Sequence, residues 1–290
     1  MFDWLLSPLQ YAFMLRGVAA AISVGIVCAV LGTYVVLRGM AFLGDALAHA
    51  ILPGVAVAYL LGGGAQGPLF WGGLAAGIGT AIGIGAISKG GQIKEDTAIG
   101  VIFAGMYALG VALISTARNF SVDLTHFLFG NILGVSTSDL LVTVVCGGLV
   151  LLLVVAFYKE FLVISFDPVL ATILRLPAQF FRYLMLVMLA VTVVLALQTV
   201  GVGLMVAMLI TPAATASLLT RRLPVMMVFA ASIGAVSGVV GLYVSYYVNI
   251  ASGPAIVLVC TLVFVVVFLF APGRGALWAK TRARRPQPAA

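Results

Sequence analysis

Charge is what this chain has least of. Only 8% of its 290 residues are Asp, Glu, Lys or Arg, where soluble domains carry about 25%. Apolar residues make up 63%, and no stretch reads as a soluble domain. Acids are the scarcer sign, and the apolar segments lack the several buried carboxylates of a proton relay. Cysteine is nearly absent. Cys28, Cys146 and Cys260 lie singly in three separate apolar segments, so they read as small core hydrophobes and not as disulfide partners or metal ligands. The opening Met1-Phe-Asp-Trp-Leu-Leu has no basic n-region and no small-residue cleavage site nearby, so no removable signal peptide is expected. There is no Gly-x-x-x-x-Gly-Lys-[Ser/Thr] phosphate loop, no His-Glu-x-x-His helix and no Gly-x-Ser-x-Gly elbow. These absences exclude ATP binding through such a loop and the common hydrolase sites. Energy for any transport comes from a partner, or the protein is a passive channel.

What remains is a polytopic membrane protein. Nine apolar runs approach the ~20 residues a bilayer requires. They span about 12–37, 42–61, 69–88, 97–116, 139–157, 182–200, 203–219, 225–247 and 254–271. Residues 1–11, with Trp4 and Tyr11, read as interfacial. The stretch 124–135 is apolar but too short to span, and reads as a re-entrant or interfacial helix. The net charge of +7 follows topology and does not call for nucleic acid. With the N-terminus outside, Arg38, Lys89, Lys94, Lys159, Arg175, Arg182, Arg221, Arg222 and the five basic residues of the tail fall inside, and only Arg16 and Arg118 fall outside. That bias predicts an N-out, C-in bundle. It forms a single transmembrane domain over 1–272, with a basic cytoplasmic tail at 273–290 expected to be disordered.

The second run holds the chemistry. Asp45 and His49, one of two histidines, sit inside it. A charge within a span costs about 2.5–3.5 kcal/mol on insertion scales, and such residues mark ion or substrate paths. Spaced four apart, the two share one helix face with Cβ atoms about 6 Å apart. A carboxylate oxygen and an imidazole nitrogen on one face make half of a divalent-metal site. The bland alternative is an acid in a helix first turn and a histidine bonded to a neighbouring helix. His126 is a second candidate ligand, although a lone loop histidine is more often structural. Glu95 and Asp96 precede an apolar run and most simply cap it, with a partner contact as the minor reading.

The 158–181 loop is too polar to cross and too apolar to be a plain linker. After Asp167-Pro168, which resembles an N-cap with proline in the first turn, Phe166, Leu170 and Leu174 fall at helical spacing. This predicts a short amphipathic helix on the cytoplasmic face, either lying on lipid or docking a partner. Gly73/Gly77, Gly79/Gly83 and Gly234/Gly238 are small-xxx-small pairs that serve helix packing. Pro53 and Pro212 should kink or break their spans.

Several stretches together resemble the manganese/zinc/iron importer permeases of the ABC class. They are Arg38-Gly-Met-Ala-Phe-Leu-Gly-Asp-Ala-Leu-Ala-His-Ala-Ile-Leu-Pro-Gly54, Lys94-Glu-Asp-Thr-Ala-Ile-Gly-Val-Ile-Phe103, Phe166-Asp-Pro-Val-Leu-Ala171 and Gly201-Val-Gly-Leu-Met-Val-Ala-Met-Leu-Ile-Thr-Pro-Ala-Ala-Thr-Ala216. The resemblance runs from about residue 10 to 272. It implies an all-α bundle like that of the type II importer permeases, in the bacterial inner membrane. It also implies a homodimer with the pore on its two-fold axis, two cytoplasmic ATPase subunits and an external solute-binding protein that delivers the metal. On it, Asp45 and His49 are the pore ligands. The segment Phe166, Asp167, Leu170, Ala171, Leu174 and Arg175 is the coupling helix seated in the ATPase. Relatives tend to carry glycine where Arg175 stands; arginine there alters the geometry of the loop or adds an ionic contact to the ATPase.

The expected function is therefore the permease subunit of an ATP-driven importer for a divalent transition metal, manganese first, with zinc or iron possible. It is not itself an enzyme, binds no permanent cofactor, and carries the metal as cargo. A stand-alone secondary transporter or channel is the alternative from another class. Against it stand the missing relay acids and the docking loop. A permease for a metal chelate is the third reading, and bare metal ligands argue against it. Oxygen and nitrogen ligands without thiolate disfavour copper(I), but they do not choose among manganese, zinc and iron.

Overall fold

The computed structural model describes residues 7–62, 66–89, 93–116, 132–166 and 168–271. Among these, nine segments are long and apolar enough to cross a membrane. The helices are α1 (Ala12–Leu37), α2 (Leu43–Ala50), α3 (Leu52–Gly62), α4 (Gln66–Ile87), α5 (Glu95–Ser115), α6 (Thr137–Ala156), α7 (Tyr158–Phe166), α8 (Pro168–Ile173), α9 (Ala178–Val200), α10 (Val202–Leu219), α11 (Leu223–Val248) and α12 (Ser252–Phe270). All nine predicted runs are helical, and their ends move by a few residues because capping, not hydropathy, sets them. At α6, for example, Ser136 Oγ accepts from Asp139 N–H at 3.1 Å and Asp139 Oδ2 accepts from Ser136 N–H at 3.3 Å, closing a capping box. The expectations on Trp4, Arg118, His126, Asp167, most of 124–135 and the tail lie outside the described residues.

One span is not continuous. The run 42–61 is two helices, α2 and α3, meeting at Ile51. Pro53 explains the break. A residue at 53 would donate its N–H to the carbonyl of His49; proline has none, and Ile51 N–H turns to that carbonyl instead. Pro212 behaves differently: it sits buried inside α10, which runs unbroken through it.

The centre is α1, enclosed by α10 and α11. Gly25 and Gly234 let α1 and α11 approach to backbone contact, since a Cβ on Gly25 would stand 3.0 Å from Gly234 O. Gly54 and Gly72 do the same between α3 and α4, which seats the broken span against its neighbour. Gly238 packs on Ala21 as expected, whereas a Cβ on Gly79 would meet nothing within 4 Å. Thus Gly79 makes no close approach within this chain. Cys28 and Cys260 are buried in the core, and all three cysteines are free thiols, in keeping with their reading as hydrophobes.

The two short helices between α6 and α9 replace the single amphipathic helix expected there. Helix α7 is docked firmly. Phe161 is buried and sits edge-on to Tyr34, Phe157 and Phe181, with centroids at 5.8, 6.5 and 5.9 Å. This aromatic cluster fixes the base from which α8 projects.

Candidate metal site and coupling surface

Asp45 lies in the first turn of α2 and His49 in its last, so the helix dipole favours an anion at one and a bound cation at the other. Their side chains share a face, with His49 Nε2 and Asp45 Oδ1 3.7 Å apart. Ligands each about 2.0–2.2 Å from one metal ion stand roughly 3–3.5 Å apart. A slight closure of the pair onto a cation would therefore suffice. The Asp45 side chain remains 40% exposed and that of His49 30% in the single chain. A carboxylate exposed within an apolar span belongs against water or another protein surface and not against lipid. Among the described residues no third His, Cys, Asp or Glu joins the pair.

His49 also forms one wall of a cleft of about 720 Å³. Its other walls come from the α9–α10 junction, at Val200, Val202 and Leu204, and from the first turns of α12, at Pro254 and Val257. By the alternation of the spans these walls belong to the face opposite Arg38. The junction turns on Gly201, whose φ of +82° is one that side-chain-bearing residues rarely adopt. The cleft gives an apolar approach to the imidazole from that face.

At the other face, three helix ends and a turn are tied by charge. Arg38 Nη2 donates to Glu95 Oε2 at 2.9 Å, and Arg182 Nε donates to Glu95 Oε1 at 3.2 Å. Arg182 also donates to Ser88 Oγ at 2.6 Å and to the Ser88 carbonyl at 3.3 Å. Burial pulls the Arg38 guanidinium below its ordinary value, and Glu95 opposes that shift. Glu95 is thus not the cap expected from its position. The α5 N-cap is Lys94, with no side-chain cap bond, and Glu95 turns to two half-buried cations that need it more. The sequence offered the acid and the arginines but not their meeting, because they come from residues 57 and 87 positions apart.

The segment expected to couple forms the short helix α8, and its exposed face differs in detail from the expected one. Phe166, Leu170 and Leu174 are exposed, as their spacing predicts, but Val169 and Ile173 are more exposed still, Ile173 at 71%. Ala171 points the other way and is fully buried. Helix α8 ends in a tight reversal. Leu176 N–H donates to the Ala171 carbonyl at 3.0 Å while Arg175 adopts φ +52°. This is the geometry in which helices commonly place glycine after their last turn. The arginine therefore keeps the glycine conformation and carries its strain. We expect Arg175→Gly to raise the thermal unfolding midpoint of the purified protein by a few degrees, reflecting about 1 kcal/mol of relieved left-handed strain. A lowered midpoint would contradict this, and a fall in uptake at unchanged stability would assign the guanidinium an ionic contact.

Comparison with known proteins agrees along the chain. The sequence pattern of the family described as ABC 3 transport family matches residues 10–271. The manganese transport system membrane protein MntC of Listeria monocytogenes is 49% identical over 274 residues, covering 94% of this chain and 96% of the relative. The chelated iron transport system membrane protein YfeD of Yersinia pestis is 40% identical over 270 residues, covering 93% of this chain and 89% of the relative. Among solved structures, PsaBC from Streptococcus pneumoniae in complex with Fab superposes with a TM-score of 0.81 at 41% identity, covering 96% of this chain and 99% of that one.

Proposed function

This chain belongs to the ABC 3 transport family, and from that we propose that it is the membrane-spanning permease of an ATP-driven importer whose cargo is a divalent transition metal, manganese first. The observation that carries the reading is the Asp45–His49 pair, 3.7 Å apart on the inner half of a proline-broken span and still exposed. An incomplete ligand pair fits a transit site better than a storage site. A second copy across a two-fold axis would bring two carboxylates and two imidazoles to one ion, and two ionised aspartates match the charge of a divalent cation. The energy source is a separate pair of ATPase subunits, docked on the exposed side of α8, and an external binding protein supplies the metal at the cleft. The charge bias puts Arg38, Glu95, Arg182 and α8 in the cytoplasm and the cleft outside. Membership in this family favours a driven subunit over a stand-alone channel.

Uptake of radioactive manganese by cells expressing the permease with its neighbouring subunits tests the cargo. Excess unlabelled manganese should compete fully, and zinc more weakly. The iron-transporting relative supports a second reading, with iron as cargo. Full competition by ferrous or chelated iron, with little by manganese, would move the assignment to that reading.

A further inference from the structure

Helix α5 presents one stripe to the site. Glu95, Ile99, Phe103 and Tyr107 follow at intervals of four and Gly110 three later, so they share a face. The stripe is fastened at both ends. Glu95 is held by Arg38 and Arg182. A Cβ on Gly110 would stand 2.6 Å from Leu52 Cβ and 3.1 Å from Pro53 Cδ, so α5 is seated directly on the break that ends α2. Between these anchors two aromatic rings meet the imidazole of His49. Tyr107 stands edge-on to it, with centroids 5.8 Å apart and planes at 82°, and Phe103 lies tilted at 6.2 Å and 58°. The two rings stack on each other at 5.9 Å, and Phe42 braces Phe103 edge-on at 5.6 Å.

The two nitrogens of His49 are consequently in different surroundings. Nε2 looks toward Asp45. Nδ1 is buried and, among the described residues, has no hydrogen-bond partner. Metal-bound histidines almost always donate the second N–H to a carboxylate, a carbonyl or water, and loss of that partner weakens metal binding about 10- to 100-fold. Aromatic faces accept an N–H only weakly.

We infer that Phe103 and Tyr107 are positioning residues that hold the His49 imidazole with Nε2 toward the metal while denying Nδ1 a strong acceptor, so that His49 is a well-aimed but readily released ligand. The inference rests on Asp45 and His49 being the metal pair. Aim comes from the rings, which fix the imidazole plane without a hydrogen bond. Release comes from the missing acceptor, since an unreinforced imidazole donates less electron density. A permease needs both properties, because every ion bound must leave within the same cycle.

The test is manganese uptake by intact cells over a range of manganese concentrations, with permease amounts measured by immunoblot. Tyr107→Phe keeps the ring and should behave as the parent. Tyr107→Leu removes the ring that fixes the imidazole plane and should raise the half-saturating concentration severalfold at similar protein amount. Tyr107→Gln places an amide oxygen beside the imidazole and should do the reverse, lowering the half-saturating concentration and the maximal rate together. Unchanged concentration dependence in the Leu and Gln variants would overturn the inference, as would a Phe variant as impaired as Leu. His49→Ala run in parallel separates the layers: normal uptake there removes the metal pair itself, whereas a defect there with an unaffected Tyr107→Leu removes only the positioning role.

Discussion

Asp45→Asn is expected to abolish metal uptake while the permease still reaches the membrane in normal amount. Asparagine preserves the shape of the side chain and its place in the first turn of α2. What it removes is the charge. The local cost to the fold is small, about 0.3–1 kcal/mol of helix-dipole interaction. The cost to the site is large. A neutral amide oxygen is a poor ligand for a divalent cation leaving water, and in the proposed two-fold arrangement the substitution removes both negative charges. His49→Ala should also impair uptake but less completely, because oxygen ligands and water still hold a hard ion such as manganese. Radioactive manganese uptake normalised to permease amount decides the matter. A normal rate in Asp45→Asn would show that the path bypasses the pair and that Asp45 is only a helix-start acid.

The second large effect is expected at Leu170. It lies 38% exposed on α8, among the more exposed Val169 and Ile173, while its neighbour Ala171 is fully buried. Leu170→Glu therefore puts a charge on the outward face without entering the core. Helix α7 should stay seated, because Phe161 holds it through the ring cluster with Tyr34, Phe157 and Phe181. If the apolar face docks the ATPase, an unpaired carboxylate buried there costs several kcal/mol. Co-purification of the ATPase should then be lost, or its metal-stimulated hydrolysis should fall at least about tenfold, with insertion of the permease unchanged. Co-purification at the normal ratio together with normal hydrolysis would return this face to the lipid surface. Ala171→Glu would be a poor substitute, since it enters the core and confounds docking with folding.

The charge on Arg175 shows how far a sequence carries such an argument. A basic residue in place of glycine is visible in the letters, and so is the question it raises. The left-handed backbone at φ +52° is visible only in the structure. It follows from the Leu176-to-Ala171 closure of α8, a reversal forced by the need to return the chain to α9.

By itself, the sequence determined much of what depends on neighbours along the chain. Spans are runs of apolar residues, orientation is a bias of basic residues, and the Asp45–His49 face is a spacing of four. The break at Ile51 follows from one missing N–H at Pro53. Tertiary structure alone decided which distant groups meet. Glu95 left its expected capping role because packing brought Arg38 and Arg182 to it, and two half-buried guanidiniums outweigh a helix end. The imidazole of His49 came to lie against Phe103 and Tyr107 because Gly110 lets α5 rest on Pro53. Apolar helices in a membrane carry little pattern to say which face meets which, since lipid and protein interior are alike in hydrophobicity. Close packing of small residues settles it, and that is a property of surfaces in three dimensions and not of any local stretch.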